Sequence, residues 1–124
     1  MENKLIEKVL REKIIGCAMS VSNELGHGYR EKTYENALIV ELTNQGLDIA
    51  QQTQYPVLYK GVQIDTYIPD LIVNNKIIIE MKTVENIDSP QIGQTINYLK
   101  VTGLRVGLIF NFKKPKLEWK AVVF

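Results

Sequence analysis

Two acidic residues and a lysine near the middle of the chain have the types and spacing of a catalytic cluster. Glu80 and Lys82 end an apolar run that begins at Ile77. In a β-strand these two side chains project from the same face, because successive residues alternate. Charges at the end of a core strand are costly to bury unless partners or a metal ion compensate them. Asp70 lies upstream at a distance that one hairpin spans, so we expect two carboxylates and one ammonium at one end of a sheet.

A short polar turn supports this arrangement. Asn74 and Asn75 separate residues 70–73 from residues 77–81, and asparagine tolerates the positive φ that tight hairpins require. The sequence therefore predicts two antiparallel strands that bring Asp70 back towards the charged end of the second strand.

The chemistry of this cluster suits phosphodiester hydrolysis. Aspartate and glutamate at adjacent strand ends provide the hard oxygen ligands that Mg²⁺ or Mn²⁺ prefers. A divalent ion polarises phosphate oxygens and lowers the pKa of bound water, while an ammonium such as that of Lys82 stabilises developing negative charge. The alternative is a structural ion pair at a strand edge, which is the commoner role of a Glu-x-Lys pair taken alone.

A later helix carries two further polar residues on one side. Ser89 and Pro90 supply an N-cap and a first-turn proline for a helix over residues 89–101. Gln94 and Tyr98 stand at i and i+4, so they stack on one side and could jointly face the cluster. A glutamine can order a water or a phosphate, and a tyrosine can stack or hydrogen-bond at a nucleic-acid groove. Alternatively, Tyr98 forms the edge of the core and Gln94 is solvated.

Composition indicates one globular domain over residues 1–124. The chain has 124 residues, 45% of them apolar, which is enough for a core without disulfides. A net charge of +1 gives no broad basic field, so any polyanion site must be local. Cys17 is the single cysteine, which excludes an intramolecular disulfide and cysteine-based zinc and fits a reducing cytoplasm. No apolar run approaches a membrane span or a signal sequence, and no cofactor fingerprint of an oxidoreductase or kinase is present.

Periodicity gives the order of the elements. Apolar residues at helical spacing predict a first helix from Leu5 to about Val21, ending near Gly26, and a second from about Glu31 to Gly46. Short runs then predict a meander of strands at residues 52–59, 62–67, 70–73 and 77–81. The helix over residues 89–101 is followed by strands at residues 106–110 and 119–123. We expect the aromatic residues of these strands to pack, namely Tyr55, Tyr59, Tyr67 and Trp119.

With these residues the chain resembles the PD-(D/E)XK nucleases, and within them the small prokaryotic GxxExxxY family. The element order after the first helix is similar to the αβββαβ core of the restriction-endonuclease-like fold, an α/β fold with a central mixed sheet flanked by helices; the first helix is an N-terminal addition. The resemblance spans residues 14–123. It rests on Pro69-Asp70, Glu80-Met81-Lys82, Gly28-Tyr29-Arg30-Glu31, residues 34–38, the Q-x-x-x-Y helix and residues 97–104.

The resemblance implies roles for six residues. Asp70 and Glu80 would be metal ligands, Lys82 the catalytic lysine, and Glu31 a further acid and metal ligand. Gln94 and Tyr98 would be accessory site residues. The implied cofactor is Mg²⁺ or Mn²⁺, and the implied substrate is a nucleic acid, with DNA expected.

Two other functional classes stay open. One is a nucleic-acid-binding module that keeps the fold without turnover, and the other is a protein-interaction domain, such as a homodimer formed through the long apolar face of the first helix. His27, near Glu31, is either part of the site or, as we favour, an exposed loop residue. A lysine cluster near Pro115 either contacts a phosphate backbone or forms a solvated hairpin, which we favour slightly; it comprises Lys113, Lys114, Lys116 and Lys120.

Overall fold

Two helices cover one face of the sheet. The computed structural model describes residues 6–124. Helix α1 spans Lys8–Leu25 and α2 spans Glu31–Asn44. The expected start of the first helix at Leu5 lies outside the described residues. The predicted end near Gly26 is confirmed, since the Gly26 amide donates to the Ser22 carbonyl 2.9 Å away and closes α1.

Within residues 6–124, seven strands and one further helix complete the fold. The strands are β1 Ile49–Ala50, β2 Tyr55–Tyr59, β3 Val62–Tyr67, β4 Leu71–Val73, β5 Ile77–Lys82, β6 Val106–Asn111 and β7 Glu118–Val123. Helix α3 spans Ser89–Thr102, between β5 and β6. The main sheet has five strands in the order β1-β4-β5-β6-β7. It is mixed, because β5 and β6 run parallel while the other neighbours are antiparallel. The fold is therefore of the expected α/β class.

The predicted meander is wrong in one respect. Strands β2 and β3 pair with each other in a separate two-stranded sheet, and β3 does not pair with β4. In the main sheet the neighbour of β4 is instead β1, a two-residue strand that the sequence did not reveal. The sequence could not show this pairing, because the partners of a strand depend on tertiary packing rather than on its own alternation.

The β4–β5 hairpin forms as predicted and determines where the acids lie. Asn74 and Asn75 take φ of 51° and 54°, the left-handed values that a tight turn needs. Leu71 pairs with Ile79, so one more step of the antiparallel register brings Asp70 opposite the end of β5. On its other side, β5 pairs along its whole length with β6. β5 is therefore the central strand of the main sheet, and its charged end lies between the ends of β4 and β6.

The two faces of the sheet bury different cores. Ile77, Ile79 and Met81 belong to the core under α1 and α2, whereas Ile78 belongs to the core under α3 and the β2–β3 hairpin. Glu80 alternates with the first set and therefore lies on the α3 side of the sheet.

Helix α3 begins at the predicted place, although its cap is one residue earlier than expected. Asp88, not Ser89, is the N-cap; it forms a capping box with Gln91, whose side chain accepts from the Asp88 amide at 2.8 Å. Pro90 lies in the first turn, where its missing amide is not needed. Gly103, with φ of 76°, ends the helix as predicted.

Candidate active site

The structure brings the two predicted acids together at the carboxyl end of β5. The Met81 amide donates to Asp70 Oδ2 at 2.8 Å, which fixes the Asp70 carboxylate against β5. The carboxyl groups of Asp70 and Glu80 lie within hydrogen-bonding reach of each other. The start of β4 and the end of β5 thus bring the two acids together, as the sequence predicted.

Burial makes the negative charge of Glu80 unfavourable. Its side chain is 5% exposed. Desolvation, followed by the neighbouring charge of Asp70, raises the pKa of Glu80 to about 8, while a hydrogen bond from Tyr67 and the charge of Lys82 lower it. Two carboxylates in so little water repel each other, and a hard cation would relieve that repulsion. Mg²⁺ commonly binds proteins through one or two carboxylates, so this donor set fits such an ion.

Lys82 and Gln94 form a polar contact beside the acids. Lys82 Nζ donates to Gln94 Oε1 at 3.1 Å, and the lysine is half-buried while the glutamine is exposed. The contact connects the end of β5 to α3. The charge of Lys82 also acts on Glu80, so the ammonium lies near the acid pair and can meet an anion that arrives from solvent.

Tyr98 faces the same site from the next turn of α3. Its ring stacks on that of Tyr67 with the centroids 3.4 Å apart and the planes 13° from parallel. The Tyr67 hydroxyl donates to Glu80 Oε1. Sequence reasoning missed Tyr67, which it expected only to pack. The one local signal was its place three residues before Asp70.

Glu31 binds the residue that follows β5. Its Oε2 accepts from the Thr83 amide at 3.0 Å and from the Thr83 hydroxyl at 3.1 Å, so the first turn of α2 is joined to the end of β5. Within residues 6–124, no three acidic, histidine or cysteine side chains form a group able to hold a metal ion. The role of Glu31 as a metal ligand stays a prediction.

A buried asparagine holds the loop that follows the site. Asn111 is fully buried. Its side-chain Nδ2 donates to the Val84 carbonyl at 2.8 Å, and its Oδ1 accepts from the Val84 backbone amide at 3.0 Å. The same Nδ2 donates to Glu118 at 2.9 Å, and Glu118 accepts from the Ile87 amide at 3.1 Å. These bonds fix the path of the chain from β5 to α3, and thereby the relation of Lys82 to Gln94.

The histidine and the lysine cluster that the sequence singled out are exposed. His27 is exposed in the loop between α1 and α2, as favoured. Lys113 pairs with Glu85 at 2.5 Å, and Lys114 donates to Asn86 at 2.7 Å, so two lysines of the cluster bind the loop after β5. The expectation that the strand aromatics pack is wrong for two of them, since the exposed fractions of Tyr59 and Trp119 are 60% and 40%.

The protein is an α/β domain whose mixed sheet presents an Asp…Glu-x-Lys set at the end of its central strand. The profile of the PD-(D/E)XK nuclease superfamily matches residues 8–122, and the chain belongs to that superfamily. No curated protein and no solved structure shows significant similarity to it. Across residues 6–124, no helix is both long and apolar enough to cross a membrane.

Proposed function

We propose that the protein is a divalent-metal-dependent nuclease that hydrolyses phosphodiester bonds in nucleic acid. The observation that carries the proposal is the convergence of Asp70 and Glu80 at the end of β5, with the charge of Lys82 acting on Glu80. Membership of the superfamily supports it independently.

The two acids would hold the cation, because they are the carboxylates that converge at the strand end. Mg²⁺ or Mn²⁺ bound there would polarise the phosphate and lower the pKa of a bound water. Asp70 is oriented by the Met81 amide and Glu80 by Tyr67. Each ligand thus has a second contact that limits its rotation.

The lysine and glutamine would act on the phosphate itself. The Lys82 ammonium stabilises the negative charge that develops on phosphate oxygens as water attacks. Gln94 holds that ammonium at 3.1 Å in the free protein, and its own amide can donate to a phosphate or order a water. Glu31, bonded to Thr83 at the same edge, is proposed as a further acid near the cation.

Finer assignments follow the sequence resemblance. The proposal includes membership of the GxxExxxY family, DNA as the nucleic acid, and the cytoplasm as compartment, which suits the free, buried Cys17. The proposal also includes a homodimer through α1, although four residues of its apolar face are buried within the chain's own core: Ile14, Cys17, Ala18 and Val21.

The proposal is tested by cleavage of a panel of nucleic acids. Purified protein with Mg²⁺ or Mn²⁺ is incubated with plasmid, linear duplex and single-stranded DNA and with RNA, and we expect at least one DNA form to be cut. Asp70→Asn and Glu80→Gln remove the cation's ligands and should abolish cleavage. Lys82→Ala should lower the rate about 100-fold or more, the usual effect of removing a group that stabilises transition-state charge.

Matched controls come from an exposed ion pair on α1. Lys8 and Glu12 lie 2.9 Å apart on the surface, so Lys8→Ala and Glu12→Gln repeat two of the changes away from the site. Both should cleave at the wild-type rate. Full activity in all three site variants, with native circular dichroism, would refute the mechanism.

A second candidate is a binding module without turnover. The observation that favours it is that, in the described part of the chain, two carboxylates rather than three converge. Such a module needs no divalent ion. Nucleic-acid binding that is equally tight in EDTA and in Mg²⁺, without any product, would favour it over the nuclease.

A further inference from the structure

The Glu80 carboxyl has two polar neighbours within hydrogen-bonding reach, the Tyr67 hydroxyl and the Asp70 carboxyl. In residues 6–124 the hydroxyl of Tyr67 donates to Glu80 Oε1, while Lys82 donates to Gln94 instead. Because Glu80 is 5% exposed, bulk water has little access to its carboxylate. The Tyr67 hydroxyl donates to this carboxylate, so the place where the hydroxyl is held helps to determine the direction of the carboxylate.

The Tyr67 hydroxyl is held by two elements that contribute no acid to the pair. Tyr67 is the last residue of β3 and is 7% exposed. Its ring lies flat on that of Tyr98 in α3, at 3.4 Å between centroids. Moving either the hairpin or the helix would displace the hydroxyl from Glu80.

We propose that Tyr67 is a positioning residue that orients the Glu80 carboxylate towards a divalent cation, and that Tyr98 acts by holding the Tyr67 ring. The inference rests on the proposed nuclease function, because it concerns the same metal site. In this inference Tyr98 supports another residue of the protein rather than stacking on nucleic acid, because Tyr67 already covers one face of its ring. Partners that orient metal ligands typically change metal affinity about 10–100-fold when they are removed.

The experiment measures Mn²⁺ binding to the metal-free full chain by isothermal titration calorimetry. Tyr67→Phe keeps the ring and its stacking but removes the hydroxyl, and we expect Mn²⁺ to bind about 10-fold more weakly or worse. Tyr55→Phe is the matched control, because Tyr55 pairs with Tyr67 across the same hairpin. It should bind Mn²⁺ with wild-type affinity.

Two changes at Tyr98 test the second part of the proposal. Tyr98→Phe preserves an aromatic ring against Tyr67 and should leave Mn²⁺ affinity at the wild-type value. Tyr98→Leu removes the stacking and should weaken Mn²⁺ binding in the same direction as Tyr67→Phe. If Tyr67→Phe lacks native circular dichroism, the difference between the two Tyr98 variants decides the question.

The outcomes separate this inference from the proposed function. One outcome is that the wild type binds Mn²⁺, Asp70→Asn does not, and Tyr67→Phe binds it with wild-type affinity. This outcome would refute the positioning role and leave the proposed metal site in place. Wild-type protein that binds no Mn²⁺ would overturn both the site and the inference. Weak binding by Tyr67→Phe and Tyr98→Leu, with wild-type binding by Tyr55→Phe and Tyr98→Phe, is the expected result.

Discussion

At the scale of single residues, the site is a compromise between burial and charge. Glu80 sits where water is scarce and Asp70 is close, and both conditions favour its protonated form. The phenol of Tyr67 and the ammonium of Lys82 act in the opposite direction. Glu80 can therefore offer its carboxylate to a cation, but ionising this group without a cation lowers the stability of the folded protein.

That cost should appear as a dependence of stability on pH. The pKa of Glu80 is about 8 in the folded protein against an ordinary value of 4.5, so between these values the folded chain binds more protons than the unfolded chain. The free energy of unfolding should therefore fall as pH rises through this range, by at most about 1.4 kcal/mol per pH unit. Urea denaturation in EDTA at several pH values measures it.

The matched variants isolate Glu80 in that measurement. The glutamine of Glu80→Gln cannot ionise. Between pH 5 and pH 8 the free energy of unfolding of this variant should therefore fall less steeply than that of the wild type, and the two slopes should differ by at most about 1.4 kcal/mol per pH unit. Glu12→Gln, at an exposed position on α1, should follow the wild type. Parallel curves for the wild type and Glu80→Gln would contradict the assignment.

The sequence revealed the acids and the lysine but not the residue that orients one of them. Asp70, Glu80 and Lys82 were visible because charges at the end of an apolar strand are unusual. Tyr67 was not, because a tyrosine in a strand ordinarily packs. Its contact with Glu80 joins positions that are thirteen apart in the chain, and it depends on how β3 lies over the main sheet.

At the scale of elements, α3 is the part that completes the site, and its distance from the sheet is determined by a glycine. A Cβ placed on Gly107 in β6 would come within 2.6 Å of Thr95 Cγ2 in α3. Thr95 is buried, and its hydroxyl donates to the Gln91 carbonyl at 3.0 Å, so its methyl group has little freedom to move. Gln94 and Tyr98 reach the site from the same helix.

We predict that Gly107→Ala pushes α3 away from the sheet. The added methyl overpacks the contact with Thr95, and such changes typically cost about 1–3 kcal/mol of unfolding free energy. Because Gln94 and Tyr98 move with the helix, metal-dependent activity should fall as well. Urea denaturation and the cleavage assay measure the two effects.

A compensating change tests whether the clash is the cause. Thr95→Ser removes the methyl that the new Cβ would meet and keeps the hydroxyl bonded to Gln91. The double variant of Gly107→Ala and Thr95→Ser should regain most of the stability that Gly107→Ala loses. If the double variant is as unstable as the sum of the two single changes, the contact is not the cause.

The elements with their own sequence signals were predictable, and those made by tertiary contacts were not. The periodicity of α1, the proline in the first turn of α3 and the Asn74-Asn75 turn each predicted a structure that is present. Strand β1 has two residues and exists through its pairing with Ile72 and Val73. The separation of the β2–β3 hairpin likewise depends on pairing, which the alternation of a strand does not specify.

At the scale of the whole molecule, affinity for nucleic acid has little general electrostatic support. The net charge is +1, and two lysines of the basic cluster are bound to Glu85 and Asn86. The acids at the site would repel a phosphate in the absence of a cation. Binding should therefore depend on the ion more than on the overall charge.

We predict that a divalent ion is required for tight binding of the substrate. Fluorescence anisotropy with a labelled DNA that the protein cleaves should show weak binding in EDTA and tighter binding in Ca²⁺, which supplies positive charge to the same oxygen ligands. At pH 9, above the pKa of about 8 that burial gives Glu80, Glu80→Gln removes a negative charge, so its binding in EDTA should exceed that of the wild type. Glu12→Gln is the control, and equal affinities in EDTA and Ca²⁺ would contradict the prediction.

The burial of Cys17 has a practical consequence for measuring how the domain opens. Its thiol is 6% exposed within the α1–α2 core, and burial raises its pKa, so the reactive thiolate is scarce in the native state. As the single cysteine of the chain, it gives an alkylating reagent one target. The rate at which the reagent labels Cys17 would then report how often the native protein opens transiently and exposes this core. No cysteine would have to be introduced for that measurement.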